Sequence, residues 1–149
     1  MTSSTAPATS EASRTAWFLG LRADSDLELV KRVERGFPTK AADTLARRLD
    51  PRGEYLRVTD IIPKSTYHRR IKAKEPFSKE ESAKLFSLAR VFAEAARQYR
   101  NDMTRVGQFM ARRHALLDGQ TPLDVARKTT AGADLVLKIL AQADAGVAA

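Results

Sequence analysis

The sequence has no cysteine, two histidines, one tryptophan and seven glycines in 149 residues. Without cysteine there is neither a disulfide framework nor a thiolate zinc site. His68 and His114 stand alone, and a metal site built on them would need several carboxylates as well. The glycines are scattered singly, so there is no glycine-rich phosphate loop. No run of 18 apolar residues occurs, so no transmembrane helix is expected. The first residues lack the basic start and apolar stretch of a secretory signal. No interior segment alternates with period two over a useful length, which argues against strands. The expectation is an all-α, soluble, cytoplasmic protein with no membrane contact and no cofactor.

Catalytic groupings are also missing. Serines and threonines sit mostly at helix caps or in the N-terminal segment, where backbone hydrogen bonding accounts for them. Carboxylates are dispersed at helix starts, and general acid–base or nucleophilic chemistry needs paired groups. His114 follows Arg112 and Arg113 near a helix end, where a dipole contact accounts for it. The chain is not expected to be an enzyme.

What the sequence has is apolar content sufficient for a core and a net charge of +8, unevenly placed. Residues 31–72 hold twelve Lys/Arg against five Asp/Glu, whereas residues 100–149 hold seven against five. A polyanion is the natural partner for such a concentration of positive charge, because each neutralised phosphate releases counterions.

Residues 1–24 read as a flexible N-terminal arm, with Trp17, Phe18 and Leu19 as one more hydrophobic contact. Residues 25–99 read as a DNA-binding and dimerisation domain. Ser25 and Glu28 form a capping box for a helix over about 26–35, with a buried stripe of Leu27, Val30, Val33 and Leu29, ended by Gly36. Helices follow over about 39–49 and 54–61. Pro63 stops the chain before a basic helix over about 65–73. Ser78 and Glu81 form a second capping box for a long helix to about 99. Its broad apolar stripe suits both intramolecular packing and a dimer interface.

In residues 100–149, helices are expected over about 102–113, after Thr121-Pro122, and over about 131–143 with Thr130 as cap. Asp118-Gly119 marks a turn.

Residues 59–75 carry the functional signal. Tyr67 and Ile71 share one face of a short helix, too small an apolar surface for an interfacial membrane helix. Thr66, Arg69, Arg70 and Ala73 lie on the other. Short helices, a tight turn and a basic helix make up the helix-turn-helix pattern. Lys64 and Ser65, at the helix start, suit phosphate, as does His68. Thr66, Arg69 and Arg70 suit base edges in the major groove, and Arg47, Arg48, Arg52 and Arg57 suit flanking phosphates. A small helix-turn-helix reads few base pairs alone, so two-fold pairing on a palindrome is expected.

Three stretches together resemble one family. They are Gly36-Phe37-Pro38 with Leu45-Ala46-Arg47-Arg48-Leu49; Pro63-Lys64-Ser65-Thr66-Tyr67-His68-Arg69-Arg70 with the helix from Phe77; and Gly119-Gln120-Thr121-Pro122-Leu123-Asp124 with Gly132-Ala133-Asp134-Leu135-Val136. Over roughly residues 30–149 the chain resembles the Xre-like antitoxins of RES–Xre toxin–antitoxin operons, related to the ParS and MbcA antitoxins. The resemblance implies an N-terminal helix-turn-helix joined to a small C-terminal helical toxin-binding domain. It implies a RES-domain toxin as partner, similar to ADP-ribosyltransferases and consuming NAD. It further implies a homodimer within a higher toxin–antitoxin complex, repression of the protein's own operon through operator DNA, and obstruction of the toxin's active site by the C-terminal end. The toxin contacts on this basis are Asp144, Gly146, Val147, Ala148 and Ala149. The family often carries an aromatic residue where this chain has Ala145. The rival expectation is a free-standing transcription regulator whose C-terminal domain only oligomerises.

Overall fold

The structure, a computed structural model, describes residues 10–144 and residue 146. Among these the chain is all-α. Its helices are α1 (Glu11–Phe18), α2 (Asp26–Arg35), α3 (Lys40–Leu49), α4 (Val58–Ile61), α5 (Lys64–Ala73), α6 (Lys79–Gln98), α7 (Met103–Ala111), α8 (Pro122–Lys128) and α9 (Thr130–Asp144), with a 3-10 turn at Ala115–Leu117 between α7 and α8. None of these helices is long and apolar enough to cross a membrane.

α6 is the central post. Ser78 and Glu81 cap it reciprocally: Glu81 N–H donates to Ser78 Oγ at 3.1 Å, and Ser78 N–H donates to Glu81 Oε1 at 2.8 Å. Leu85, Leu88, Ala89, Phe92 and Ala96 recur at helical spacing, and Val91 and Ala95 widen the stripe until it nearly encircles the helix. A helix apolar on most sides is buried on most sides. α1, α2, α3, α7, α8 and α9 all pack on α6, and of its residues only Lys79, Glu80 and Arg97 are exposed. The expected dimer interface on this helix is therefore corrected: neighbours within the same chain cover its broad stripe.

One buried cluster runs from Phe18 through Phe37, Leu45, Phe77 and Phe92 to Val136 and Leu140. The helices expected to form two units thus share a continuous core.

The expected arm over residues 1–24 needs correction from residue 10 onward; residues 1–9 lie outside the described residues. Ser10 caps α1 by accepting from Ser13 N–H at 3.0 Å, and Ala12, Thr15, Ala16 and Phe18 are buried. The stripe is mostly alanine, which carries little hydrophobic signal in the sequence but allows α1 to approach α6 closely. α2 also differs in register. Leu29 is buried, whereas Leu27 is 61% and Val30 45% exposed. α4 is a single turn, because Asp50 holds the preceding chain in a loop: its carboxylate accepts from the N–H groups of Tyr55 (2.7 Å) and Leu56 (2.9 Å). The cap of α9 is Thr129 rather than Thr130, with Gly132 N–H donating to Thr129 Oγ1 at 2.9 Å. Thr121 caps α8 as expected, accepting from Asp124 N–H at 3.1 Å.

Candidate functional site

α4, the turn at Ile62-Pro63 and α5 form the helix-turn-helix. Ile61 and Ile62 are buried and fix the turn. Pro63 stands immediately before the first residue of α5, where the missing N–H leaves nothing unpaired. α5 ends with Lys74 in the left-handed region (φ 56°), closed by Glu75 N–H donating to Arg70 O at 3.0 Å.

Two side chains orient α5. The Tyr67 hydroxyl donates to Asp43 Oδ1 of α3 at 2.6 Å. Arg70 Nε donates to Glu81 Oε1 of α6 at 3.2 Å, and its Nη1 lies 3.5 Å from Glu75 Oε1. Burial tends to raise the Glu81 carboxyl; the N–H of Ser78 and the Arg70 guanidinium outweigh it and hold the group below the usual carboxylate range. Arg70 therefore faces inward as an anchor, which corrects its expected place among the base contacts. Thr66 is half-buried on the same side.

The outward face of α5 is Ser65, His68, Arg69 and Lys72, all exposed. They recur at the i, i+3, i+4, i+7 spacing of one helical stripe. Of these, Arg69 was expected on the outward face and Ser65 and His68 as phosphate contacts; the arrangement adds Lys72. Continuing the period from Ser65 would have found it. Lys64 is exposed at the first residue of the helix.

A groove of about 440 Å³ is lined by Arg47, Arg52 and Arg57 together with Asp50 and with Asp43, the residue that holds Tyr67 of α5. Asp43 accepts from Tyr67 and Asp50 from the Tyr55 and Leu56 N–H groups, so internal donors occupy both carboxylates. For Asp50, burial would raise the carboxyl, but those backbone donors outweigh it and hold it low. Those donors are neutral and leave the carboxylate charges in place, so three arginines against two aspartates give the groove a balance of one positive charge. Arg48 belongs elsewhere. Its guanidinium stacks over the Trp17 ring, 4.0 Å from the centroid, and donates to the Trp17 carbonyl. Burial, then the adjacent Arg47, weaken its hold on its proton. The expected phosphate contact at Arg48 is thus corrected to a clamp between α3 and α1.

Tyr55 and Tyr67 define an alkaline limit. The Tyr55 hydroxyl donates to Leu49 O at 2.6 Å. Burial, then the charges of Asp50 and Glu54, push its pKa up to about 12. Burial, then the hydrogen bond and charge of Asp43, push Tyr67 up to about 12. A raised folded-state pKa contributes stability that is complete below the ordinary value of about 10 and is lost as pH rises through the folded value. Thermal stability should therefore fall between about pH 10 and about pH 12. Melting curves of Tyr67→Phe across this window should show a shallower fall; an unchanged slope would remove the hydroxyl from the account.

In the C-terminal half, α8 and α9 pack tightly on each other and on α6. Arg127 of α8 donates to Asp124 Oδ1 at 3.2 Å and to the Asp60 carbonyl of α4, also at 3.2 Å. The C-terminal half thereby touches the helix-turn-helix directly. The end of α9 is tied to α6: Asp144 Oδ2 accepts from Arg97 Nη2 at 2.9 Å, and Gln98 Nε2 donates to Leu140 O at 2.7 Å. Glu94 and then Asp144 raise the Arg97 pKa above its ordinary value. Asp144, expected as a toxin contact, is therefore also an internal anchor. Gly146 is exposed with φ 73°. Val147, Ala148 and Ala149 of that expected set, with Ala145, lie outside the described residues.

Residues 28–90, which span all but the first two residues of α2 and run into α6, match the antitoxin Xre-like helix-turn-helix domain. Residues 95–146 match the antitoxin Xre/MbcA/ParS C-terminal toxin-binding domain. The chain belongs to the Xre family of antitoxins. Among curated proteins, none matches the antitoxin. The two matched segments of this antitoxin meet within α6, whose N-terminal part carries the helix-turn-helix and whose last turn carries α9.

Proposed function

We propose that this antitoxin neutralises a RES-domain toxin in the cytoplasm by direct binding and obstruction of the toxin's NAD-consuming site. It represses its own operon by placing α5 in the major groove as a homodimer, within a higher toxin–antitoxin complex on operator DNA. It acts by binding and does no chemistry itself. The observation that carries this reading is the pairing, in one chain, of a toxin-binding segment with a helix-turn-helix whose exposed face is Ser65, His68, Arg69 and Lys72. Arg69 is the candidate for a bidentate guanine contact, with Lys64 and Ser65 at the adjoining phosphates. Arg47, Arg52 and Arg57 supply the neighbouring phosphate grip.

Co-expression with a RES toxin tests the first half. The full chain should restore growth, and a chain ending at Asp144 should not, although α9 and its Arg97 anchor remain. Equal protection by both would remove the C-terminal residues from the mechanism. Equal toxicity with and without the full chain would end the RES reading.

For DNA, Arg69→Ala should weaken operator binding by about 1–3 kcal/mol while leaving binding to random DNA nearly unchanged. Arg70→Ala should instead lower thermal stability by about 1 kcal/mol, because it releases α5 from α6. Parallel losses on operator and random DNA for Arg69→Ala would make it a phosphate contact.

A further inference from the structure

The charge of the C-terminal half is divided between its helices. Residues 100–113, which hold α7, carry four arginines against one aspartate. Residues 118–144, which hold α8 and α9, carry three Lys/Arg against four aspartates. The segment matched to the toxin-binding domain therefore begins basic and ends slightly acidic. Arg100, Arg105, Arg112 and Arg113 are all exposed. The ion pairs among the described residues are made by Arg70, Arg97 and Arg127, so no carboxylate lies at contact distance from any of these four.

α7 lies against the helix-turn-helix half. Gly107, Gln108 and Ala111 form part of one wall of a cleft of about 500 Å³; Arg52, Glu54 and Tyr55, from the connection between α3 and α4, form part of the other. A Cβ added at Gly107 would stand 3.3 Å from the Tyr55 hydroxyl oxygen, so the two walls approach closely. Arg52 lines both this cleft and the groove of Arg47 and Arg57. Within the cleft Asp50 and Glu54 outweigh Arg52, so the surface that attracts an anion is not the cleft itself but its border on α7. There Arg105 and Gln108 stand one turn apart, and Arg112, at the C-cap, is two turns from Arg105. At a rise of 1.5 Å per residue the two arginines are about 10 Å apart. Gln108 belongs to both the cleft wall and this stripe.

We propose that Arg105, Gln108 and Arg112 grip the phosphate backbone of the DNA whose major groove takes α5, extending the contacts of Arg52 and Arg57 onto α7. The inference rests on the DNA-binding reading and adds to it a contact outside the segment matched to the helix-turn-helix domain. Guanidinium and amide groups all donate to phosphate oxygens, and the unpaired charge gains by releasing counterions. A protein partner is the poorer fit. Charged side chains are depleted at the core of such interfaces, and α7 exposes no large apolar side chain to supply one.

The test is the salt dependence of binding, by fluorescence anisotropy, of the full chain to two duplexes: the DNA upstream of its own coding sequence and a random sequence of equal length. Each neutralised phosphate contributes about 0.9 to the fall of log K with log salt. Arg105→Gln and Arg112→Gln should each lower that slope by about 1, and the double variant by about 2, equally on both duplexes. Affinity at 0.1 M salt should fall on the order of tenfold per residue. The helical circular dichroism spectrum and rescue from a co-expressed RES toxin should not change. Lys138→Gln, the same loss of charge at an exposed position on α9, should leave the slope as it was. An unchanged slope in the double variant, with the wild type binding normally, would overturn the α7 contact alone. An equal fall for Lys138→Gln would do the same, by reducing the effect to net charge. Loss of toxin rescue with DNA binding intact would make this face a toxin contact instead. A wild type that binds neither duplex would overturn the DNA-binding reading and this inference with it.

Discussion

Gly36→Ala is expected to destabilise the protein by about 4–5 kcal/mol, which for a chain of this size lowers the melting temperature by more than about 10 °C. Gly36 ends α2 at φ 90°, ψ 132°, a region closed to residues with a side chain and costing about 1–3 kcal/mol where one is forced into it. The larger problem is space. A Cβ at Gly36 would stand 2.2 Å from the Phe77 carbonyl oxygen, and backbone cannot swing aside as a side-chain tip can. Phe77 N–H donates to Phe37 O at 2.9 Å, and Phe37 N–H donates to the buried Ser82 Oγ at 2.8 Å. The connection before α3 and the connection before α6 are thus laced together at the point where Gly36 passes Phe77. Moving them would unseat two fully buried rings, Phe37 and Phe77, and displace the segment that follows α5. Gly53 is the internal control. It has φ 65°, and a Cβ there would meet nothing within 4 Å, so Gly53→Ala should cost only about 1–2 kcal/mol. Paired thermal melts of the two variants decide the matter; equal losses would show that backbone conformation alone, without the clash, is responsible.

Phe92→Ala should cost about 3–5 kcal/mol. Phe92 is fully buried at the middle of α6, within the cluster that extends from Phe18 to Leu140. Removing its ring opens a cavity inside a cluster to which both family segments contribute, and the central helix cannot collapse onto it without dragging its neighbours. The consequence is that both halves weaken together. Trp17 fluorescence, which reports on α1 and α3, and far-ultraviolet circular dichroism, which reports on all helices, should give coincident unfolding curves for the wild type and for Phe92→Ala. Transitions that separate in the variant would mean that α7 to α9 unfold independently of the helix-turn-helix. Coincidence would also give a physical sense to the Arg127 bond to the Asp60 carbonyl: the segment matched to the toxin-binding domain supports α4, the helix that precedes α5.

Much of this architecture could be read from the sequence. Helix period, the Ser25, Ser78 and Thr121 caps and the stops at Gly36 and Pro63 are local, because a cap or a breaker acts through bonds to residues three or four positions away. Those signals determined the all-α class, the positions of α2, α3, α5, α6 and α8 and the identity of the short basic helix; the order of three motifs pointed to the antitoxin family. α1 was missed because alanine is nearly silent in a hydrophobic pattern, while its burial depends on a close approach to α6 that no local rule expresses.

The tertiary structure decided which side of each helix is free. On α5, both Arg69 and Arg70 are basic and adjacent, and sequence treats them alike. Glu81, eleven residues on, ties Arg70 down in a half-buried ion pair, while His68 and Lys72 stand exposed with Arg69. Arg47 and Arg48 divide in the same way, one lining a groove and the other lying over Trp17, thirty-one residues back. On α2, Leu27 and Leu29 differ only in that α6 and α1 reach one of them. Charge and hydrophobicity belong to the residue, but availability to a partner depends on what the rest of the chain has already covered, and that is set by contacts between segments far apart in sequence.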